Sequence, residues 1–375
     1  MKPRQRAFGM RILLLALVTL AAAPLDSAEV RKILEEIYPL PSTTGSEHLL
    51  AEGIAALLPQ GLEMEKEGLG GFAVRLGRGE PRLMVLAPLD DVGFVVGGIT
   101  EDGYLTLDRP VPAPHSSFDG FLLGNAVVVS TRGGIIHGVV AQPSMHLLNQ
   151  ERRKLLVDDF GLDNAYVDIG TRSAGEARER GVELLDAVSF RPDLVELASG
   201  RLSGPSLGVK ALCAVLARVA SDLQGFRPRG EILLVFAAQT RFTARGRGPR
   251  PSLGGLRAKN TWQPARTIVL GRAEFPSGSI EETLGGGPIL ACPGPSAPPF
   301  FQDVLGAATK SGQRIQTGFE ADSPLLRAFT EPGREVVSLA VPMLFADTPG
   351  ETVAIGDLEA LARLLASILR EGGRG

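Results

Sequence analysis

Apolar positions recur at two spacings along this chain, and the change from one to the other divides it. Helical spacing runs over Val30–Tyr38 and begins again near Ser46, while Gly71–Leu76 and Arg82–Ala87 read as short strands. From Val92 to about Glu196 the texture becomes runs of alternating residues separated by Gly, Pro and Asp turns. Gly124–Ser130, Gly134–Val140 and Ala165–Ile169 are such runs, with one minor helix at Ala174–Arg180. Beyond Gly204 longer elements return. A helix is expected over about Ser206–Leu223, and strands over Ile232–Ala237, Thr267–Leu270 and Val336–Val341.

The last helix is the clearest element. Leu358, Leu361, Leu365, Ile368 and Leu369 form one apolar stripe, Asp357 is placed to cap its start, and Gly372 and Gly373 end it. The pattern predicts an α/β domain, residues 29–92 plus 196–375, interrupted by a β-rich insert at 93–195.

Composition adds little to this and charge excludes something. A chain of 375 residues, 44% hydrophobic and 22% charged, has ample core for two domains. A net charge of −3 gives no reason to expect a nucleic-acid partner. Lys2, Arg4, Arg6 and Arg11 precede the apolar run Ile12–Ala23, and small residues follow around Ser27–Ala28, which is the layout of a signal peptide over residues 1–28. The run is too short to span a bilayer, so the expectation is an exported protein, periplasmic or extracellular, with no membrane span after cleavage. Only Cys213 and Cys292 are present, and they are read as buried free thiols with a disulfide as the alternative. Only 7 of the 39 basic residues are lysine, which discounts arginine-rich stretches such as Arg241, Arg245, Arg247 and Arg250 as signals in themselves.

The chemistry starts at the end of the second strand, where Ala87–Phe94 reads A-P-L-D-D-V-G-F. A parallel strand giving way to a loop is where α/β enzymes place their sites. The segment resembles the Ala-His-Met-Asp-Glu-Ile-Gly-Phe motif of the tetrahedral and glutamyl aminopeptidases, dinuclear zinc or cobalt enzymes, some of which are described as endoglucanases. In the insert, VDIG (Val167–Gly170) followed by RSAGEARERGVELLDAVSF (Arg172–Phe190) is similar to the same family's Asp-Ile-Gly and Gly-Val-x-x-Gly-Asp-x-Val stretch, and QPSMHLLNQERR (Gln142–Arg153) resembles its Lys-Pro-Pro-His-Leu segment. The resemblance runs from about residue 31 to 370. It implies a three-layer aminopeptidase-like α/β domain with a small inserted β-barrel, and relatives that assemble as dimers or tetrahedra.

Followed residue by residue, the resemblance leaves almost none of the family's metal ligands in place. The first ligand histidine falls on Pro88. The bridging aspartate falls on Gly208, in Gly204–Lys210. The adjacent Glu-Glu pair, general base and ligand, falls on Thr240 and Arg241 after Phe236–Gln239, and the fourth ligand falls on Gly271 after Ile268–Leu270. The last histidine falls on Asp347, in PMLFAD (Pro342–Asp347). Glu274 lies three residues beyond Gly271. Two metals need several converging carboxylates and imidazoles, and of the five places only Asp347 keeps a metal-capable side chain. The four histidines point the same way: His48, His137 and His146 read as surface or structural residues, and His115 is the fourth.

What remains is the acidic pair Asp90 and Asp91. In the family the counterpart of Asp90 orients the ligand histidine, which is absent here. Lys210, Arg241 and Arg272 fall on or beside former ligand positions, where three cations require anions nearby. The expectation is an aminopeptidase relative without cofactor and without catalysis, binding a peptide or an anion or assembling as a homo-oligomer. The alternative is a hydrolase with an altered site. That would need Asp90, Asp91, Asp322 or Asp347 as acid or base, or Ser206, Thr240 or Ser323 as nucleophile, with no histidine to activate a hydroxyl.

Overall fold

A computed structural model of the protein describes residues 29–141, 145–158, 160–245, 250–273, 284–294, 296–319 and 323–373. Helices α1 (Val30–Ile37) and α2 (His48–Leu57) are followed by β1 (Glu63–Lys66), β2 (Phe72–Gly77) and β3 (Arg82–Pro88). Next come β4 (Phe94–Ile99), β5 (Leu105–Asp108), β6 (Ala126–Thr131), β7 (Gly134–Ala141), α3 (Gln150–Asp158), β8 (Tyr166–Asp168), α4 (Ala174–Glu179) and β9 (Ala187–Phe190). Then follow β10 (Val195–Leu197), β11 (Arg201–Ser203), α5 (Leu207–Asp222), β12 (Glu231–Ala237), α6 (Leu253–Trp262), β13 (Arg266–Ala273) and β14 (Ile289–Cys292). The chain closes with a Pro299–Lys310 helix, β15 (Gln316–Phe319), a Pro324–Arg327 turn of helix, β16 (Glu335–Pro342), β17 (Thr352–Ala354) and the Ile355–Gly372 helix.

An eight-stranded sheet in the order β1-β2-β12-β3-β13-β16-β14-β15 is the frame. Its centre is parallel, β12 beside β3 beside β13 beside β16. These strands are apolar on both faces because both are covered. Ile232, Leu234 and Phe236 of β12 face α1, α2, α5 and the last helix, while Leu233 and Val235 face Trp262 of α6 and Phe329. That pleat alternation makes three layers, and the parallel pairing brings the C-terminal ends of the central strands to the same edge.

The insert closes into a six-stranded barrel, β4-β5-β8-β7-β6-β9. Alternate residues Phe94 and Val96, Leu105 and Leu107, and Val127 and Val129 fill it, joined by Val167 and Val188. Among the described residues no strand between residues 124 and 169 joins the large sheet. A small sheet, β10-β11-β17, follows the barrel and returns the chain to α5.

Several expectations need correction. Asp357 does not cap the last helix, which starts at Ile355 with no side-chain cap. Asp357 instead sits in the first turn and accepts 2.8 Å hydrogen bonds from the backbone N–H groups of Gly285 and Gly287, tying down that glycine turn. Strand β1 was not foreseen because Glu63–Lys66 is a polar, mostly exposed edge. The helices Leu253–Trp262 and Pro299–Lys310 were also not foreseen: the first buries Gly254, Gly255 and Lys259 on its inner face, and the second has a short stripe that ends in Ala307 and Ala308. Cys213 and Cys292 are both buried and are not joined in a disulfide.

Candidate functional site

Strands β3, β12, β13 and β16 end around a cleft of about 760 Å³, lined among others by Pro88, Asp90, Thr240, Arg241, Gly271 and Arg272. Its floor is apolar, with Val209 and Leu212 of α5 and Ala340 of β16, and Val111 and Pro112 reach in from the barrel. The turns delivering the polar residues bend sharply. Ser206, Gln239, Phe345 and Asp347 all have left-handed backbones, with φ of 57°, 55°, 58° and 56°. Such conformations in non-glycine residues collect where surrounding structure fixes a functional geometry.

Asp90 is 1% exposed and fully occupied. One oxygen accepts from the Thr240 N–H at 2.7 Å and the Thr240 hydroxyl at 2.6 Å; the other accepts from the Arg241 N–H at 2.9 Å and the Thr44 hydroxyl at 3.1 Å. Asp90 therefore fixes the β12 turn rather than a histidine. Glu47 braces the same turn, accepting 2.9 Å bonds from the Gly45 and Gln239 N–H groups. Burial, then the neighbouring Asp90, pushes its carboxyl up to about 7.

From that turn the Arg241 side chain starts a chain of ion pairs. Its Nη2 donates to Asp91 Oδ1 at 2.6 Å and to Asp347 Oδ1 at 2.9 Å. Arg272 Nη2 donates to the same Asp347 oxygen at 2.9 Å, and its Nη1 to Glu351 Oε1 at 2.5 Å. Glu351 completes the line by accepting from the Asp347 N–H at 2.9 Å and the Gly208 N–H at 2.8 Å. Burial alone would raise Asp347, but Arg272 and Arg241 outweigh it and hold the carboxyl at about 2. Burial dominates at Glu351 and pushes it up, with Arg272 opposing.

Position 208 shows how closely this packs. A Cβ there would lie 2.3 Å from Arg272 Cδ and 2.3 Å from Met343 Cε, so the arginine stem fills the space of any side chain at 208. Gly271 is looser, its nearest neighbour being Ser338 Oγ at 3.2 Å.

Lys210 feels Asp91 and Glu351 but forms no ion pair with either. Its Nζ donates to the Tyr38 carbonyl at 2.6 Å and sits 4.8 Å from the Tyr38 ring centre, and burial lowers its pKa to about 8. Cys213, one turn on, donates to the Pro88 carbonyl at 3.2 Å, and burial raises its pKa. Ser323 lines the cleft, and Ser206 precedes α5. Glu274, Asp322 and Arg247 lie outside the described residues, while Arg245 and Arg250 are exposed. His48, His137 and His146 are exposed as well. His115 lies over the site, its Nε2 3.4 Å from the Asp347 carbonyl and its ring edge-on to Phe118 and Phe121.

Glu351 is the residue that sequence reasoning missed. The available signal was its position four residues after Asp347, in a loop with no other acid. Thr44 and Glu47 were missed for another reason: a bridge between Thr43 and Asp91 brings their turn to the site across 48 residues of sequence.

A parallel-sheet α/β domain with a barrel inserted after β3, and a cleft at the strand ends between them, is the class to which the molecule belongs. The chain belongs to the M42 glutamyl aminopeptidase family, whose profile matches residues 70–364. It is 23% identical to the lysyl aminopeptidase of Pyrococcus furiosus over 91% of this chain and 96% of that one. A relative from Escherichia coli named for an aminopeptidase, FrvX, is 26% identical over 50% of this chain, which spans only about half, 51%, of that relative's length. Among solved structures, the TET1 peptidase of Pyrococcus horikoshii, described as assembling into a tetrahedron or a large octahedral shell, superposes with a TM-score of 0.78 at 23% identity, covering 91% of this chain and 99% of that one. An endoglucanase structure from Thermotoga maritima gives 0.68 at 21% identity, covering 91% and 97%. These structures share the fold.

Proposed function

We propose that this chain is a non-catalytic member of the family: an exported binding or assembly protein whose cleft is held together by arginines instead of metal ions. The observation that carries the reading is the line Asp91–Arg241–Asp347–Arg272–Glu351. The resemblance puts the metal donors of a dinuclear site at Pro88, Gly208, Arg241, Gly271 and Asp347, and of these only Asp347 carries a carboxylate, imidazole or thiolate. Asp91, Asp347 and Glu351 already face guanidinium groups, and Asp90 and Glu47 accept from backbone N–H and hydroxyl groups. Among the described residues no group of three or more His, Cys, Asp or Glu side chains is disposed to hold a metal ion. The residues present do not fit two zinc or cobalt ions.

A general base is also missing from the place where the family carries one. The Thr240 hydroxyl donates a hydrogen bond to Asp90, both of whose oxygens are taken up by N–H and O–H donors of the protein. The aminopeptidase names of the relatives favour a second reading, a hydrolase working with an altered site. Elemental analysis of the purified protein, run beside an aminopeptide hydrolysis assay with added Zn²⁺ or Co²⁺, separates the two. The first reading expects no retained metal and no release of amino-terminal residues. Stoichiometric zinc after dialysis, or metal-dependent release lost in Asp347→Ala, favours the second.

The basic start and the apolar run before Ala28 support export. Among the described residues no helix is long and apolar enough to cross a membrane. A homo-oligomer is proposed by likeness to neighbours such as a TET1 structure described as a dodecamer. Analytical ultracentrifugation of the mature chain tests it.

A further inference from the structure

Ser338 of β16 is 5% exposed, yet no hydrogen bond within the described residues uses its hydroxyl, which lies open to the cleft. Buried hydroxyls without a partner are uncommon, because the lost hydration is not made good. The hydroxyl stands beside the space that Gly271 leaves. A Cβ at 271 would meet Ser338 Oγ at 3.2 Å and Ala340 Cβ at 3.6 Å. Position 208 is filled by the Arg272 stem, whereas position 271 opens on the cleft.

The surroundings of that hydroxyl are apolar. Val269 and Gly271 of β13 pair with Ser338 and Ala340 of β16, and these pair in turn with Ala291 and Ile289 of β14. Alternate residues in register share one face of a sheet, and all six line the cleft. They form a wall with one polar side chain in it.

Charge makes no offer to a ligand. Among the described residues lining the cleft, the charged ones are Asp90, Arg241 and Arg272. Asp90 accepts from Thr240, Arg241 and Thr44. Arg241 faces Asp91 and Asp347, and Arg272 faces Asp347 and Glu351. An anion would have to displace a carboxylate from these guanidinium groups, and a cation would have to displace a guanidinium. Either would shed its hydration without meeting an unmatched partner. An uncharged molecule sheds little and gains by burying apolar surface. A cleft of about 760 Å³ is large enough for a small molecule of this kind.

We propose that the cleft binds an uncharged, largely apolar small molecule, seated beside Gly271 with a hydrogen-bonding group on the Ser338 hydroxyl. This rests on the metal-free reading of the same cleft. The chemistry fits a neutral acyl chain and a neutral apolar peptide stretch alike.

Calorimetric titration of the mature protein with octanamide, N-acetylleucinamide, octanoate and octylamine tests it, with zinc content measured in parallel. Saturable binding of a neutral probe, at least about tenfold tighter than that of octanoate and of octylamine, supports the proposal. Tighter binding of octanamide points to an acyl chain, and of N-acetylleucinamide to a peptide stretch. Gly271→Leu puts a side chain into the space beside Ser338 and should abolish the binding. Ser338→Ala should weaken the neutral probe about three- to tenfold, the worth of one hydrogen bond. Its melting temperature should stay that of the wild type, since no protein group loses a partner. Should Gly271→Leu fail to fold, Ser338→Ala carries the test alone. Neutral probes that do not bind a zinc-free protein up to about 1 mM overturn this proposal and leave the non-catalytic reading standing. So does binding of a charged probe as tight as that of the neutral ones, or binding that Ser338→Ala leaves unchanged. Stoichiometric zinc retained after dialysis overturns the metal-free reading and this proposal with it.

Discussion

Gly208 and Arg272 occupy one space: the Cβ that any other residue would carry at 208 falls 2.3 Å from Arg272 Cδ. Position 208 accepts a side chain only if the arginine moves, and Arg272 is the link between Asp347 and Glu351. Gly208→Ala should therefore cost about 1–3 kcal/mol, the usual range for an overpacked core position. Chemical denaturation should show it as a lower midpoint with an unchanged slope. Gly208→Asp should cost more, because Glu351 already accepts from the Gly208 N–H beside it. Wild-type stability in both variants would mean that Arg272 is free to relocate.

Arg241 keeps Asp91 paired, and Asp91 is 3% exposed. Removing one partner of a buried charged pair leaves the other desolvated and unmatched. Arg241→Ala should destabilise the fold by about 1–3 kcal/mol, the cost of a buried charged group losing its hydrogen bond. The double variant Arg241→Ala with Asp347→Ala should lose less than the sum of the single losses. The two side chains touch, and contacting pairs are not additive. Additive losses would show that the observed 2.9 Å contact carries no energy.

How much of this was legible in the sequence follows from the range of the forces involved. The α/β frame could be read because strands such as Ile232–Ala237 are buried on both faces and continuously apolar. The barrel could be read because Ala165, Val167 and Ile169 are buried and alternate with the more exposed Tyr166 and Asp168. The site was half legible. Strand ends located Asp90, Thr240, Arg241 and Arg272, since parallel strands deliver their C-termini to one edge. Which cation meets which anion could not be read. Lys210 and Arg272 looked equivalent along the chain, yet helix phase sends Lys210 to the Tyr38 carbonyl and β13 sends Arg272 into the cleft. Asp357 failed as a cap for a similar reason: the glycine turn at Gly285–Gly287, distant in sequence, offers two N–H groups that compete for its carboxylate.

Acid sensitivity should trace in part to Asp347. Burial opposes its ionisation, but Arg272 and Arg241 carry its pKa down from 3.8 to about 2. A carboxylate depressed in the folded state contributes stability that is present above its unfolded pKa and lost as pH falls through its folded pKa. Stability followed by denaturant titration should therefore decline between about pH 4 and pH 2. Asp347→Asn should flatten that decline. An unaltered profile in the variant would assign the acid loss to other carboxylates.

Glu47 should give the opposite slope. Burial and the adjacent Asp90 raise its carboxyl from 4.5 to about 7, against the hydrogen bonds from the Gly45 and Gln239 N–H groups. Between those values the folded protein holds a proton that the unfolded chain releases. This contribution is therefore complete below the unfolded pKa and is lost as pH rises through the folded one. The slope for one such group is at most about 1.4 kcal/mol per pH unit. Glu47→Gln keeps a carbonyl oxygen to accept both backbone N–H groups and removes the titration. Its stability, read by thermal melts from pH 4.5 to 7.5, should change less with pH than that of the wild type, and the advantage of the variant should grow toward neutral pH. A constant difference across the range would show that Glu47 titrates as an ordinary carboxylate and that the β12 turn is held by Asp90 alone.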